Sequence, residues 1–232
     1  MKVAILSDIH ANIFALDEVM RYCSDNGINN YWWLGDYIGY YFYPKSTLDK
    51  IRDTSGIYIK GNHEDIYLET LSNKEKLIHY TNFYGECFKL CHCELNELDT
   101  EWIQKLPYTV CLNVKGYRIL LKHSNHLNWK EYYYNDTSEE KFMDLVDGEY
   151  DFIFIGHSHY SFIKNINNTN IVNVGSVGQN RKQGGVAEFA VLDLEDGKIE
   201  LKQLNYDVGK VLNDSKYKNV ASDSYLTKVL KR

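Results

Sequence analysis

Two histidines separated by one serine close the stretch Phe152–Tyr160, FIFIGHSHY, just after four apolar residues and a glycine. His157 and His159 are poor strand formers and costly to bury without partners, so their position at the end of an apolar run points to a site. The arrangement recurs along the chain. VAIL runs into Ser7-Asp8-Ile9-His10, WWLG into Asp36, IYIKG into Asn62-His63-Glu64, and RILLK into His123. Singly, Asp8 reads as a helix cap, Asp36 as a turn former, Asn62 as an Asx-turn and His123 as a surface residue. Together those readings fare badly. A rim of imidazoles and carboxylates, with no basic residues at the same strand ends, would hold several polar groups desolvated and unpaired. Divalent cations resolve this, because imidazole nitrogen and carboxylate oxygen are ligands of first-row transition metals. The donors are too many for one tetrahedral zinc and suit two ions sharing a carboxylate.

The elements that must position these groups alternate between strand and helix. Val3–Leu6 reads as a strand. Asn12 can cap a helix with apolar positions at Ile13, Leu16, Val19, Met20 and Cys23, and Gly27 sits where it would stop. Further strands are expected at 31–36 and 57–65, with a helix around Lys45–Arg52 between them, the pattern of a parallel α/β sheet. From Ile66 to Lys105 the pattern is mostly helical. Strands follow at Thr109–Val114, Tyr117–Lys122, Asp151–Ile155, Asn170–Val174, Ala187–Asp193 and Lys198–Leu204, with hairpin signals at Lys115–Gly116 and Glu195–Gly197. The polar segment Tyr132–Glu140 interrupts them, and Val208–Arg232 reads as one or two short covering helices. With no linker composition anywhere, residues 1–232 are expected to form one domain of two sheets packed face to face, with helices outside. In open α/β sheets, ligands gather beyond the carboxyl ends of the strands, where these Asp, Asn and His residues fall.

Composition narrows the chemistry. The 232 residues are 44% hydrophobic and 25% charged, with a formal net charge of −6. That disfavours extended nucleic acid and anionic membranes, which attract basic surfaces, but not a small phosphate ester met by local metal charge. No stretch reaches about 18 uninterrupted apolar residues, and the N-terminus is too polar for a signal peptide, so a cytoplasmic location is the default. Cys87, Cys91 and Leu95 with Phe88 fall at helical spacing. Reduced cysteines packing a helix are therefore favoured over a zinc site in this crowded stretch.

The ordered blocks Asp8-Ile9-His10, Gly35-Asp36, Gly61-Asn62-His63-Glu64, His123 and Gly156-His157-Ser158-His159 resemble the signature of the calcineurin-like metallophosphoesterase superfamily. GDYIGYYFYP after the second block and NVGSVGQNRK at 173–182 are similar to its small bacterial and archaeal phosphodiesterase branch. The resemblance implies a four-layer α/β/β/α sandwich of two mixed sheets flanked by helices. It also implies two divalent ions, manganese foremost, with iron, nickel, cobalt or zinc accommodated. Asp8, His10, Asp36 and His159 would hold one ion, and Asp36, Asn62, His123 and His157 the other, with Asp36 bridging. His63 would face the substrate and protonate the leaving group or stabilise the phosphoryl oxygens, while a bridging hydroxide attacks phosphorus in line.

The implied activity is a phosphodiesterase, with phosphomonoesters open, on a small phosphate ester. Asn12, Arg181 and Tyr40 are the weaker candidates for contact with that substrate. Capping explains Asn12 equally well, and Glu64 reads either as a partner of the ligands or as an ordinary salt bridge. Two positions depart from the branch. Ser124 follows His123 where glycine is common, and Tyr40-Tyr41-Phe42-Tyr43 suggests a bulkier pocket wall. His126 is a rival to His123. The alternatives are a silent metal-binding scaffold, like the retromer subunit that lacks the active histidine, and a nuclease on short oligonucleotides. Self-association stays open.

Overall fold

A computed structural model describes residues 1–146, 148–214 and 225–232. Strand β1 (Lys2–Leu6) is buried on both faces because its residues alternate between two cores. Ala4 and Leu6 pack under the first helices, and Val3 and Ile5 pack between the sheets. Strands β2 (Tyr31–Trp33) and β3 (Gly56–Tyr58) extend this sheet in parallel. Helices α1 (Ile13–Asp25) and α2 (Pro44–Arg52) make the crossovers. The second sheet contains β4 (Thr109–Val114), β5 (Tyr117–Lys122), β6 (Phe152–Ile155), β7 (Phe162–Ile166) and β8 (Thr169–Asn173), in the order β4-β5-β6-β8-β7. The antiparallel pair β9 (Val186–Asp193) and β10 (Lys198–Asn205) completes the first sheet, giving β10-β9-β1-β2-β3. Both sheets are therefore mixed.

The sheets meet through one shared core. Val3, Ile5, Trp32, Leu34, Ala190 and Leu192 of the first pack on Ile119, Leu121, Phe152, Phe154 and Val172 of the second. Each large side chain so buried contributes about 1.5–3 kcal/mol, so the two rims are held at a fixed separation. On the far face of the second sheet, Leu120, Ile153, Ile155 and Ile171 are covered by Phe142 and Leu145. These come from α7 (Glu139–Phe142) and the 3₁₀ turn after it. The layering is α/β/β/α.

The helical stretch after β3 divides into α3 (Asn62–Ser72), α4 (Lys74–Tyr84), α5 (Cys87–Glu94) and α6 (Glu97–Lys105). Cys87, Phe88 and Cys91 of α5 are buried in the core, and the cysteines form part of no metal-holding group among the described residues. The expected strands at 31–36 and 57–65 are shorter than their apolar runs. The first stops at Trp33, before Gly35 turns left-handed at φ 92°; the second stops at Tyr58, because α3 already begins at Asn62. β7 was not expected. Only Phe162 and Ile166 of this edge strand are buried, a pattern too sparse to read in a polar sequence. Of the covering helices expected over 208–232, α8 (Val208–Asn213) and α9 (Tyr225–Leu230) are present. Residues 215–224 lie outside the described ones.

β1, β2, β3, β5 and β6 reach the same rim with their carboxyl ends, because neighbours in each set pair in parallel. No helix among the described residues is long and apolar enough to cross a membrane.

Candidate metal centre

Asp8 follows β1 and Asp36 follows β2, and each carboxylate divides its two oxygens. Asp8 Oδ2 accepts the backbone N–H of His157 at 2.9 Å, and Asp36 Oδ1 accepts that of His63 at 2.8 Å. The remaining oxygens face imidazoles. Asp8 Oδ1 lies 3.0 Å from His159 Nε2, 3.6 Å from His10 Nε2 and 3.9 Å from His123 Nε2. Asp36 Oδ2 lies 3.4 Å from His123 Nε2 and 3.8 Å from His10 Nε2.

Four imidazoles are oriented by backbone carbonyls. Nδ1 of His10 bonds Ile38 O at 3.2 Å, Nδ1 of His123 bonds Leu34 O at 2.7 Å, and Nδ1 of His159 bonds Gln179 O at 2.7 Å. His157 is turned the other way, with Nε2 bonded to Trp129 O at 2.8 Å. Since a carbonyl can only accept, each bonded nitrogen carries the proton, and the opposite nitrogen of a neutral ring presents a lone pair. Nε2 of His10 and Nε2 of His159 then face each other at 3.1 Å, and both face carboxylate oxygen. Lone pairs converging on lone pairs repel unless a cation lies among them. Asp8 Oδ1, Asn62 Oδ1 and His123 Nε2 are buried with no hydrogen-bond partner, as ligands awaiting an ion would be. Asp8, His10 and His159 make one compact group, and Asp36, His123 and His157 another. The residues fit divalent metal.

The backbone needed for this convergence is unusual. Asp8 (φ 55°), His10 (52°), Asp36 (54°), His157 (67°) and His159 (62°) are all left-handed, a region that non-glycine residues visit rarely and that gathers at functional sites. Two motif glycines admit close approach. A Cβ on Gly61 would stand 2.2 Å from Asp36 Oδ1, and one on Gly156 would stand 2.0 Å from Ser7 Oγ and 2.5 Å from Asp8 Oδ2.

Glu64 resolves as a brace. Buried at the start of α3, it accepts the backbone N–H groups of Asp36 and Tyr37 at 2.8 Å and of Gly61 at 2.9 Å. It thereby ties the Asp36 loop to the helix. Burial pushes its carboxyl up to about 7, with the Asp36 charge adding and the Gly61 and Asp36 amides opposing.

Asn12 has both ends of its amide engaged. Oδ1 caps α1 through Ala15 N at 3.2 Å, and Nδ2 donates to Gly178 O at 2.8 Å. Asn173 and Ser176 similarly brace the motif loops, Asn173 through Gly156 O at 2.8 Å and Ser176 through Asp8 O at 2.8 Å. His126 stacks on Tyr108 at 5.0 Å and belongs to none of the metal-holding groups, while Ser124 Oγ donates to Glu131 O.

His63 packs against the His10 ring at 4.6 Å but, unlike the other four imidazoles, is oriented by no backbone carbonyl among the described residues. Its Nδ1 is buried against Gly39 with no partner, and its Nε2 lies 4.0 Å from Asp36 Oδ2. Phe88 stacks behind it at 5.7 Å, and Tyr84 meets it edge-on at 4.9 Å. With His10 and Asp36 it forms a third group close enough to hold metal, so its distances alone suit a ligand as well as a proton donor. Tyr40 walls this side, 4.7 Å from the His10 ring and 5.0 Å from the His63 ring. The Arg181 guanidinium lies 5.9 Å over the Tyr132 ring, its Nε buried without a partner, and forms no ion pair among the described residues. Asp8 and Tyr40 are among the groups whose charge raises its pKa against burial.

Electrostatics follow from packing. Burial opposes charge on Asp8, yet His159 and His123 hold it well below the usual carboxylate range; His123 and His63 do the same for Asp36. Burial pulls His63 down to about 3 and His157 and His159 to about 4. His123, though buried, is pushed up to about 9 by Asp36 and Asp8. The carbonyls of Leu34, Ile38, Trp129 and Gln179 had no sequence signal, since every residue type carries one. Tyr132, stacked flat on His157 at 4.4 Å, lay in a segment that read only as polar.

The profile of the Calcineurin-like phosphoesterase superfamily domain matches residues 1–197. An uncharacterized protein of Methanocaldococcus jannaschii is 28% identical over 225 residues, covering 90% of this chain and 89% of its own. A solved hypothetical protein of Pyrococcus horikoshii shares the fold at a TM-score of 0.83 and 19% identity, covering 100% of this chain and 98% of that one. A metallophosphoesterase of Sphaerobacter thermophilus does so at 0.74 and 20% identity, covering 94% of each. Carrying the motif loops on this sandwich, the chain belongs to the calcineurin-like phosphoesterase superfamily.

Proposed function

We propose that this phosphoesterase hydrolyses a small phosphodiester at a dinuclear centre of divalent ions, manganese or another first-row metal. The carrying observation is the convergence of Nε2 of His10 and Nε2 of His159 at 3.1 Å beside Asp8 Oδ1, which a bound cation reconciles. Asp8, His10, Asp36 and His159 would hold one ion, and Asp36, Asn62, His123 and His157 the other. Asp36 would be shared between them, supported by the place of its Oδ2 between His10 and His123. Bound there, the ions supply positive charge to phosphoryl oxygens and acidify a water.

The chain's own groups do the rest. His63 gives a proton from Nε2 to the leaving alkoxide. Burial disfavours the charged ring, and the Asp36 carboxylate, 4.0 Å from Nε2, opposes that and favours the proton to be given. Arg181 meets the phosphoryl oxygens with a guanidinium that no carboxylate neutralises among the described residues. Tyr40 closes the pocket beside His10. Asn12 is assigned to bracing, because both its amide groups are engaged. Five free cysteines suit a reducing, cytoplasmic setting, and the acidic net charge suits a small ester over extended nucleic acid.

The test is hydrolysis of a generic aryl phosphodiester by protein reconstituted with Mn²⁺. Turnover supports the assignment. Protein that binds two ions yet leaves mono- and diesters intact would be a scaffold.

A further inference from the structure

Beside the metal-holding groups lies a cleft of about 540 Å³. That is far more than a phosphoryl group needs and lies within the range of cavities that receive a whole small molecule. Asn62 and His157 line it where it meets the centre. Tyr80 and Tyr84 of α4 and Trp129 and Tyr132 of the loop after β5 supply aromatic lining. Charge on phosphorus gives no reason for such rings.

The ring edges are already committed. Trp129 Nε1 donates to Asp65 Oδ2 at 3.2 Å, and Tyr80 OH donates to Glu69 Oε2 at 2.9 Å. The first bond fixes the plane of Trp129, whose described ring neighbours meet it only tilted or edge-on, the geometry that favours stacking over hydrogen-bonded readout. The cleft is also continuous with the chemistry. Tyr84 meets the His63 ring at 4.9 Å, and Tyr132 lies on the His157 ring with 16° between planes. A group leaving phosphorus on the His63 side would enter it.

The geometry points to a substrate whose ester carries a planar aromatic ring, stacked between Tyr84 and Trp129. This deepens the phosphoesterase reading and rests on it. Two sources share that chemistry, a nucleobase and a simple aryl group.

Phosphonates, which cannot be hydrolysed, test the cleft without turnover. Calorimetry on the Mn²⁺-loaded protein compares phenylphosphonate with ethylphosphonate. It likewise compares the methylene-phosphonate analogue of adenosine 5′-monophosphate with that of ribose 5-phosphate. At least tenfold tighter binding of the ring-bearing member is expected. A preference confined to the adenosine pair assigns the cleft to a nucleobase, and one shared by both pairs assigns it to any aromatic ring. Trp129→Leu and Tyr84→Leu should each reduce the ratio below threefold, whereas Tyr84→Phe should keep it. Equal affinities within both pairs, or no binding by either aromatic phosphonate, would overturn the inference. Hydrolysis of simple diesters would then leave the phosphoesterase reading standing.

Discussion

The backbone N–H of His63 donates to Oδ1 of Asp36 at 2.8 Å, so the first turn of α3 grips the carboxylate whose other oxygen faces His10 and His123. One residue is thereby held by the segment that carries the proposed proton donor, with the positioning bond on one oxygen and the imidazole-facing side on the other.

Asp36→Asn should separate them. The amide oxygen can still accept from His63, but the anionic donor proposed to be shared is lost. Elemental analysis should show metal falling from two ions per chain to one or fewer, and kcat/KM should drop at least 100-fold. Full metal content in this variant would refute the bridging role.

His63→Ala should lower kcat at least tenfold, within the range typical of a lost general acid, while metal content stays the same. Loss of an ion instead would make His63 a ligand, the other role its distance to Asp36 allows.

Gly156→Ala would drive a methyl group into Ser7 Oγ and Asp8 Oδ2. Overpacking of this kind costs about 1–3 kcal/mol. Denaturant unfolding of the metal-free protein should register the loss, and an unchanged midpoint would show that the loops can part.

Acid should destabilise the metal-free protein. His63, His157 and His159 titrate at about 3, 4 and 4 when folded, below the ordinary 6.5. The unfolded chain therefore binds more protons below about 6.5, and stability is lost as pH falls from there toward 4. His123, raised to about 9, contributes stability that is fully present below 6.5 and disappears as pH rises to 9. Glu64, raised to about 7, and His123 oppose the acid loss, two groups against three. Thermal scans should give a lower Tm at pH 5 than at pH 7, and the reverse order would contradict this balance.

Much of the centre was legible because each expected ligand from Asp8 to His159 stands just past an apolar run, and parallel pairing brings such ends together. Asn12 was readable as a cap because the helix pattern starts beside it, but its hold on Gly178 was not. That contact joins segments 166 residues apart. Glu64 was ambiguous for a similar reason: its partners are backbone amides, which have no letter in the sequence. The edge strand β7 escaped because solvent covers most of one face, and the aromatic cleft escaped because Tyr84 and Trp129 come to line one cavity only after folding.

The positive φ angles at Asp8, His10, Asp36, His157 and His159 select side chains before any ion arrives. Aspartate, asparagine, histidine and glycine tolerate that conformation, whereas valine, isoleucine and threonine crowd it. These corners can therefore exchange carboxylate for carboxamide without redrawing the chain, so the electrical character of the rim is more easily changed than its outline.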